Sequence, residues 1–540
     1  DGKKVQTARG LMTLHKIDDK VYVEFPLALL GKEMLFTSTI EGISDSGESA
    51  VGEFSGQGVP VRFTRADSVL QARLVVLGDL LNLSGDASVD PAIARSGMPG
   101  VYGNYKIEAF TPDGAAMLVD MSSLFMTHSI YTTPFADYAG NSFYGFVMRN
   151  HKFQEERTSL HGVKAYANNV VATCDLGYDV DHIFFGMFLM AKDMKVSVLA
   201  NRILMLLPEQ PMMPRLADYR VGTEVLRASA LNASMEEVKP IHLAYRWRLE
   251  PSDPVAYHRG ELVRPLKPIV FYMDTLIPEA YRPHVAAGVL EWNKAFEAIG
   301  FKNVMQVRDF PKDDPEFDPD NIKYTCIRYL PSTTENAMGP SWIDPTTGEI
   351  VNATVLIYND VIKLLNNWRF VQTAQIDPKV RTKKLPQDVM EEAMIYVVAH
   401  EIGHTLGFMH NMAASASYPV DSLRSASFTQ KYGTTPCIMD YARFNYVAQP
   451  EDRGVKLMPP DLGVYDEFVI KWLYSPVYEA ATIWDEAKVL ETWVDEQMKD
   501  PMYRYGRQQI GGRYDPTALE EDLGDDAMKA GEYGIKNLKY

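Results

Sequence analysis

Apolar and polar positions alternate in short runs through the first half of the chain. Residues 21–25, 33–39, 59–64, 69–76, 105–110 and 241–248 show this alternation, or an enrichment in β-branched and aromatic residues, as half-buried strands do. Segments rich in Gly, Ser and Asp, such as residues 41–58, separate them in the manner of turns. No repeat of fixed period emerges. The pattern predicts one or two antiparallel β modules, of sandwich or barrel type, over residues 1–250. Two longer apolar runs, 183–191 and 196–207, fall short of the ~20 residues a membrane span needs and read as buried strands.

The texture changes near Pro251. A strand at 269–273 leads into a helical pattern at 278–299, in which Val285, Val289, Trp292, Phe296 and Ile299 recur at three- and four-residue spacing. Gly300 follows where a C-cap belongs. Next come a strand (304–308), an acidic loop (311–321) and a strand (323–329). Strands at 337–343 and 350–358 flank Asp344-Pro-Thr-Thr-Gly-Glu. A helix covers 361–368. A further helix starts near Asp388, which can cap it, with Glu391 three residues on in capping-box position. From Val477 the chain reads helical, then loop-rich to Tyr540. The fold class predicted is multidomain α+β. A β-rich region (1–250) precedes an α/β domain with a mixed twisted sheet (251–476) and a helical and loop-rich extension (477–540).

Composition narrows the partners. The 540 residues suffice for several domains. A formal net charge of −17 argues against nucleic acid or an anionic membrane surface as the main partner. Three cysteines cannot form a disulfide framework, although a single bridge is open to them. No transmembrane segment is present, and residues 1 onward lack a signal peptide's apolar core. The chain starts at Asp1, as a processed mature chain or a trimmed one would.

Residues 400–410 read His-Glu-Ile-Gly-His-Thr-Leu-Gly-Phe-Met-His, the pattern HExxHxxGxxH with every fixed position filled. On a helix His400 and His404 share one face with Ala393 and Val397, so two imidazoles reach one metal ion. Glu401 lies ~100° around the axis, beside the metal and free to take a proton from a metal-activated water. Six more helical residues would carry His410 ~9 Å along the axis to the wrong side. It joins only if the helix stops and the chain turns back. Gly407 supplies that break, because Gly enters the left-handed conformation without a Cβ penalty. Three neutral imidazoles and an open position make a catalytic rather than a structural Zn²⁺ site.

The motif resembles that of the metzincins, zinc endopeptidases with three His ligands and a Met-turn below the metal. Cys437-Ile438-Met439-Asp440-Tyr441 resembles that turn. The resemblance implies that Met439 forms an apolar floor under the ligands and that Tyr441 ligates zinc or stabilises an oxyanion. Residues 278–299 resemble the first long helix of the metzincin N-terminal subdomain. Met338, Gly339, Pro340, Ser341 and Trp342 resemble the edge strand that binds substrate by β-augmentation, and Pro340 suits an edge. Residues 443–447 would shape the pocket past the scissile bond. The stretches Asp344-Pro-Thr-Thr-Gly-Glu-Ile and Leu462-Gly-Val-Tyr-Asp-Glu-Phe-Val-Ile-Lys-Trp, with the β-rich first half, resemble a family of large exported bacterial zinc-dependent metalloproteases.

The expected activity is peptide-bond hydrolysis on a protein or peptide substrate. Zn²⁺ on His400, His404 and His410 lowers the pKa of a water to about 7. Glu401 accepts its proton and passes it to the leaving amine. Zinc, with Tyr441, stabilises the oxyanion. The expected location is the periplasm, the cell surface or the medium. A gluzincin would use a distant Glu as third ligand, and His410 argues against it. A different class of reading is a binding or scaffold protein with an adhesive β-rich domain and an inactive or structural zinc site. An unligated Glu401 discriminates, since a structural site needs no base. A third is a precursor whose residues 1–250 block the cleft. The oligomeric state is not legible.

Other residues carry less. His15, His128, His151, His161, His182, His242, His258 and His284 show no ligand spacing. Asp313, Asp314, Glu316, Asp318 and Asp320 lack the EF-hand pattern and read as a solvated loop. Cys437 reads as a small buried residue, and Cys174 as a remote candidate for an inhibitory ligand.

Overall fold

Period-two burial builds the first half. In Lys20–Pro26, Val21, Val23 and Phe25 are buried while their neighbours are not. The same alternation runs through Ala116–Asp120. A computed structural model describes residues 4–75, 80–81, 86–135, 147–331, 334–458 and 462–539. Eleven antiparallel strands form one sheet. Its order is Val5–Arg9, Thr13–Ile17, Lys20–Pro26, Ala116–Asp120, Val101–Phe110, Val69–Leu74, Phe54–Ala66, Glu33–Ile43, Phe188–Leu206, Asn169–Phe184 and Val147–Ala165. The sheet nearly closes on itself. Leu11 N–H donates to the Tyr166 carbonyl at 2.7 Å, and Leu160 N–H to the Asp19 carboxylate at 3.0 Å. A smaller sheet pairs Lys239–Ala244, Val225–Ala230 and Leu80–Leu81.

Where both faces of a strand are buried, the two periods face different cores. Met34, Phe36, Val170, Ala172 and Leu204 point into the interior of the large sheet. Leu35, Val171, Ile203 and Met205 point outward, to a second cluster that includes Ile322 and Trp342 of the other half. One side of the β-rich region is thereby docked on the α/β half.

In that half, Met305–Asp309, Ile269–Met273, Thr325–Leu330 and Ile350–Tyr358 run parallel in this order. Ala337–Met338 and Ser341–Ile343 then pair antiparallel with Ile350–Tyr358 as a broken edge. The motif helix, Gln387–Thr405, packs against Arg282–Leu290 and Val361–Thr373. It is buried on nearly every side, from Val389 to Thr405. Ile483–Gln497 and Ala527–Leu538 follow toward the end of the chain.

Several expectations need correction. Residues 183–191 are not a buried strand but the tip of a hairpin, with Phe185 and Gly186 in the turn at φ 49° and 68°. Met187 is 75% and Met190 67% exposed. An apolar run does not report which side of a sheet will be covered. The helix expected at 278–299 is two, Arg282–Leu290 and Asn293–Ala298. Their break leaves Trp292 buried, its indole N–H donating to the Ala399 carbonyl at 2.9 Å. Asp388 does not cap the motif helix. Pro386 holds that position without a side-chain bond, and Asp388 pairs with Lys379 at 2.8 Å. The strand expected at 69–76 ends at Leu74, and Val76 lies outside the described residues.

The acidic loop is solvated at Asp313, as expected, but its far end is tied down. Asp318 and Asp320 pair with Lys164 at 2.8 and 3.0 Å. All three cysteines are buried and free, so no bridge forms. Cys174 lies in the core of the large sheet. Among the described residues no helix is long and apolar enough to cross a membrane.

Candidate metal centre

The motif helix ends as the glycine spacing requires. Gly407 sits at φ 92°. Phe408 N–H reaches back to the Gly403 carbonyl at 3.1 Å and Gly407 N–H to that of His404 at 2.9 Å, a Schellman closure. The chain then reverses, held by Met409 N–H on the Gly222 carbonyl (3.0 Å) and Glu224 N–H on that of Gly407 (2.8 Å). A β-carbon at Gly407 would overlap the Tyr245 carbonyl oxygen, so the tertiary fold adds a second demand for glycine.

This reversal brings three imidazoles together, each oriented at Nδ1. His400 donates to the Ile438 carbonyl at 2.8 Å, His404 to that of Phe408 at 2.9 Å, and His410 to the Gln508 side-chain oxygen at 2.9 Å. These acceptors leave the Nε2 lone pairs facing one another. Nε2 of His410 lies 3.2 Å from that of His400 and 3.0 Å from that of His404. Converging lone pairs repel unless a cation lies among them, and tetrahedral zinc would set its nitrogens ~3.3 Å apart. Burial pushes the imidazoles down, His404 to about 4, His410 to about 3 and His400 well below its ordinary range. They are thus neutral, as ligands must be. Among the described residues this is the only group of three or more His, Cys, Asp or Glu side chains placed to share a metal ion.

A pH dependence follows. With the metal chelated, these imidazoles stay neutral in the folded chain while unfolded ones take up protons from about pH 6.5 downward. Stability is therefore complete above 6.5 and falls as the pH drops toward about 4. Urea unfolding at about pH 7 and about pH 5 should show the loss, and His404→Asn should reduce it.

Glu401 is 8% exposed and stands outside the converging set. Among the described residues no donor bonds its carboxylate, and burial pushes it up to about 8 against the lowering charge of Arg443. Met439 is fully buried with its sulfur against Gly403, between His400 and His404 in the motif helix. Asp466 clamps this segment from the helix Val464–Tyr474. Its carboxylate accepts from Ile438 N–H (2.8 Å), Gly463 N–H (2.7 Å) and the Cys437 thiol (3.0 Å). Burial nonetheless pushes Asp466 up to about 7. Part of the stretch 462–472 thus serves the site, and Cys437 is buried as expected.

Tyr441 packs its ring 4.3 Å from that of His410 and 5.6 Å from that of His400. Burial pushes its hydroxyl up to about 12. Arg443, at φ 56°, lies 4.0 Å from the Tyr441 ring and 3.9 Å from that of Trp368, and its Nε pairs with Glu521 at 2.8 Å. Phe444 and Val447 are buried in hydrophobic clusters.

The edge strand runs directly past the motif helix. A β-carbon at Gly339 would overlap the Glu401 carbonyl oxygen and come within 3.3 Å of the His404 Cβ. Met338, Pro340 and Ser341 flank that contact. Trp342 faces elsewhere. It is 3% exposed and stacks on Phe54 at 4.1 Å, where the β-rich region docks.

Sequence reasoning missed Gln508 and its neighbours. Met412 N–H donates to the Gly506 carbonyl at 2.8 Å, and Gly506 N–H to the Asn411 side chain at 3.0 Å. Residues 504–508 therefore line up beside His410. No spacing announces a single Gln so far downstream. Gln508→Leu should weaken zinc binding about 10–100-fold, measured by competition with a chelator, whereas Gln508→Glu keeps the acceptor and the affinity.

Fold and site together define a metzincin-like α/β domain joined to a β-rich N-terminal region. Residues 382–540 match a family model described as Met-zincin, which together with the histidine triad supports a metzincin-like zinc-protease assignment for this part of the chain. Residues 56–252 and 2–43 match two models described as domains of unknown function. No curated protein and no solved structure matches the chain.

Proposed function

We propose that the chain is a zinc-dependent endopeptidase with Glu401 as its general base. The observation that carries this is a buried carboxylate, without a donor among the described residues, one residue from His400 and outside the converging histidine set. A merely structural centre has no use for it. Zinc held by His400, His404 and His410 supplies a Lewis acid that makes a water nucleophilic near neutral pH. Glu401 takes that water's proton on its carboxylate and returns it to the leaving amine. Its burial raises the proton affinity that the second transfer needs, while a cation beside it favours the charged form at the start. Tyr441, held by Arg443, offers a hydroxyl to the developing oxyanion.

The substrate lies extended along Met338–Ser341. Among the described residues the Gly339 N–H and C=O have no partner, which supports pairing to a peptide there. Trp342 serves domain docking instead. Arg443 borders the leaving-group side. Export to the periplasm or cell surface belongs to the same proposal and rests on the family resemblance. The test is cleavage of an unfolded protein by the chain with zinc, after chelation, and after zinc is restored. Activity that survives chelation would refute the proposal.

A further inference from the structure

Behind the carboxyl end of the motif helix lies a cavity of about 250 Å³, walled by Arg215, Arg246, Arg248, Met213, Tyr474 and Glu486. Two of the three guanidiniums are matched. Arg215 meets Glu486 in a fork, Nη2 to Oε1 at 2.6 Å and Nε to Oε2 at 3.2 Å. Arg248 meets Glu349 likewise, at 2.7 and 3.1 Å. Arg246 is not matched. It is 8% exposed, and among the described residues its guanidinium makes one hydrogen bond, from Nη2 to the Met213 carbonyl at 2.8 Å. Its Nε is buried with no acceptor among those residues. Among the described residues no carboxylate lies within ion-pair distance of it. Glu250, the other acid on the wall, is exposed and pairs with none of the three.

A buried guanidinium with unused donors costs stability until an anion meets it. Burial, reinforced by the charge of Arg215, pushes Arg246 down to about 9, and the charges of Glu486 and Glu349 offset this only in part. The cavity has room well beyond a single water. We propose that it is an oxyanion site, with Arg246 as the recognising side chain. Its ligand presents two oxygens to one guanidinium, as a phosphate or a carboxylate does. The site bears on the metal centre. The Tyr474 hydroxyl donates to the Leu406 carbonyl at 2.8 Å, and the Trp247 indole N–H to that of Thr405 at 2.7 Å. A bound oxyanion would bridge the 246–248 segment to the elements behind the turn that delivers His410.

The experiment is isothermal titration of the zinc-loaded full chain with inorganic phosphate and, separately, acetate, against sodium chloride at matched ionic strength. Saturable binding of phosphate or acetate is expected, and the tighter of the two identifies the source. Arg246→Met should weaken it more than tenfold and Arg246→Lys less. Arg259→Met, an exposed control, should leave it unchanged. Binding should persist in His404→Ala, which excludes coordination at the metal centre. Without anion, Arg246→Met should melt at or above the wild-type temperature, since it removes an unpaired buried charge. The proposal falls if wild type binds neither anion, if Arg246→Met binds equally, if His404→Ala abolishes binding, or if Arg246→Met unfolds.

Discussion

Glu401→Ala is expected to keep about one zinc per chain and to lose peptidase activity by roughly 10²–10⁴-fold. The retention of metal follows from geometry. The three Nε2 atoms converge without Glu401, and their orienting partners are Ile438, Phe408 and Gln508. The fold should also survive. Alanine suits a helix interior, the carboxylate makes no hydrogen bond to a described residue, and Gly339 packs against the Glu401 backbone rather than its side chain. What disappears is the proton acceptor. Glu401→Gln sharpens the test, because it keeps the volume and still cannot accept the proton. Zinc content by elemental analysis and cleavage of an unfolded protein are the two readouts. Full activity in either variant would end the general-base assignment. An inert wild type holding zinc would favour the scaffold reading.

Gly407→Ala should destabilise the chain by roughly 2–4 kcal/mol and release zinc more readily. Two costs combine. The position needs φ 92°, which an L-residue adopts at a penalty, and a β-carbon there would overlap the Tyr245 carbonyl oxygen. Relief of that overlap must move the turn that carries His410 away from its partners. Gly260, at φ 82° with open space around it, isolates the first cost. Urea unfolding of Gly407→Ala and Gly260→Ala, with zinc competition on each, separates the two. Equal destabilisation would show that the approach of Tyr245 does not matter, and unchanged zinc affinity would show that the turn does not deliver His410.

The legible parts of this molecule are local ones. Helical spacing alone brings His400 and His404 to one face, and Gly407 announced the reversal that the backbone makes. The strand at Ile350–Tyr358 is readable because it is rich in β-branched and apolar residues and is buried on both sides. The strand Val147–Ala165 was not. It is an edge strand studded with Arg149, Lys152, Glu155, Glu156 and Arg157, and little of it meets the core. Residues 183–191 failed in the opposite sense, apolar in sequence and exposed in space. Trp342 was placed in the right strand, but its ring serves the β-rich region.

By itself the sequence identified three candidate metal ligands, a candidate base beside them and a glycine that turns the chain, because all five lie within eleven consecutive residues where helix geometry and the conformational freedom of glycine are the only rules needed. Tertiary structure alone decided which groups orient those ligands. It drew on Ile438 and Gln508, the latter 98 positions from His410. It also decided that Asp466 clamps the Met439 segment and that Arg246 meets no carboxylate among the described residues. A side chain's hydrogen-bond partner depends on which distant segment packs beside it, and no local pattern of apolar and polar residues encodes that choice.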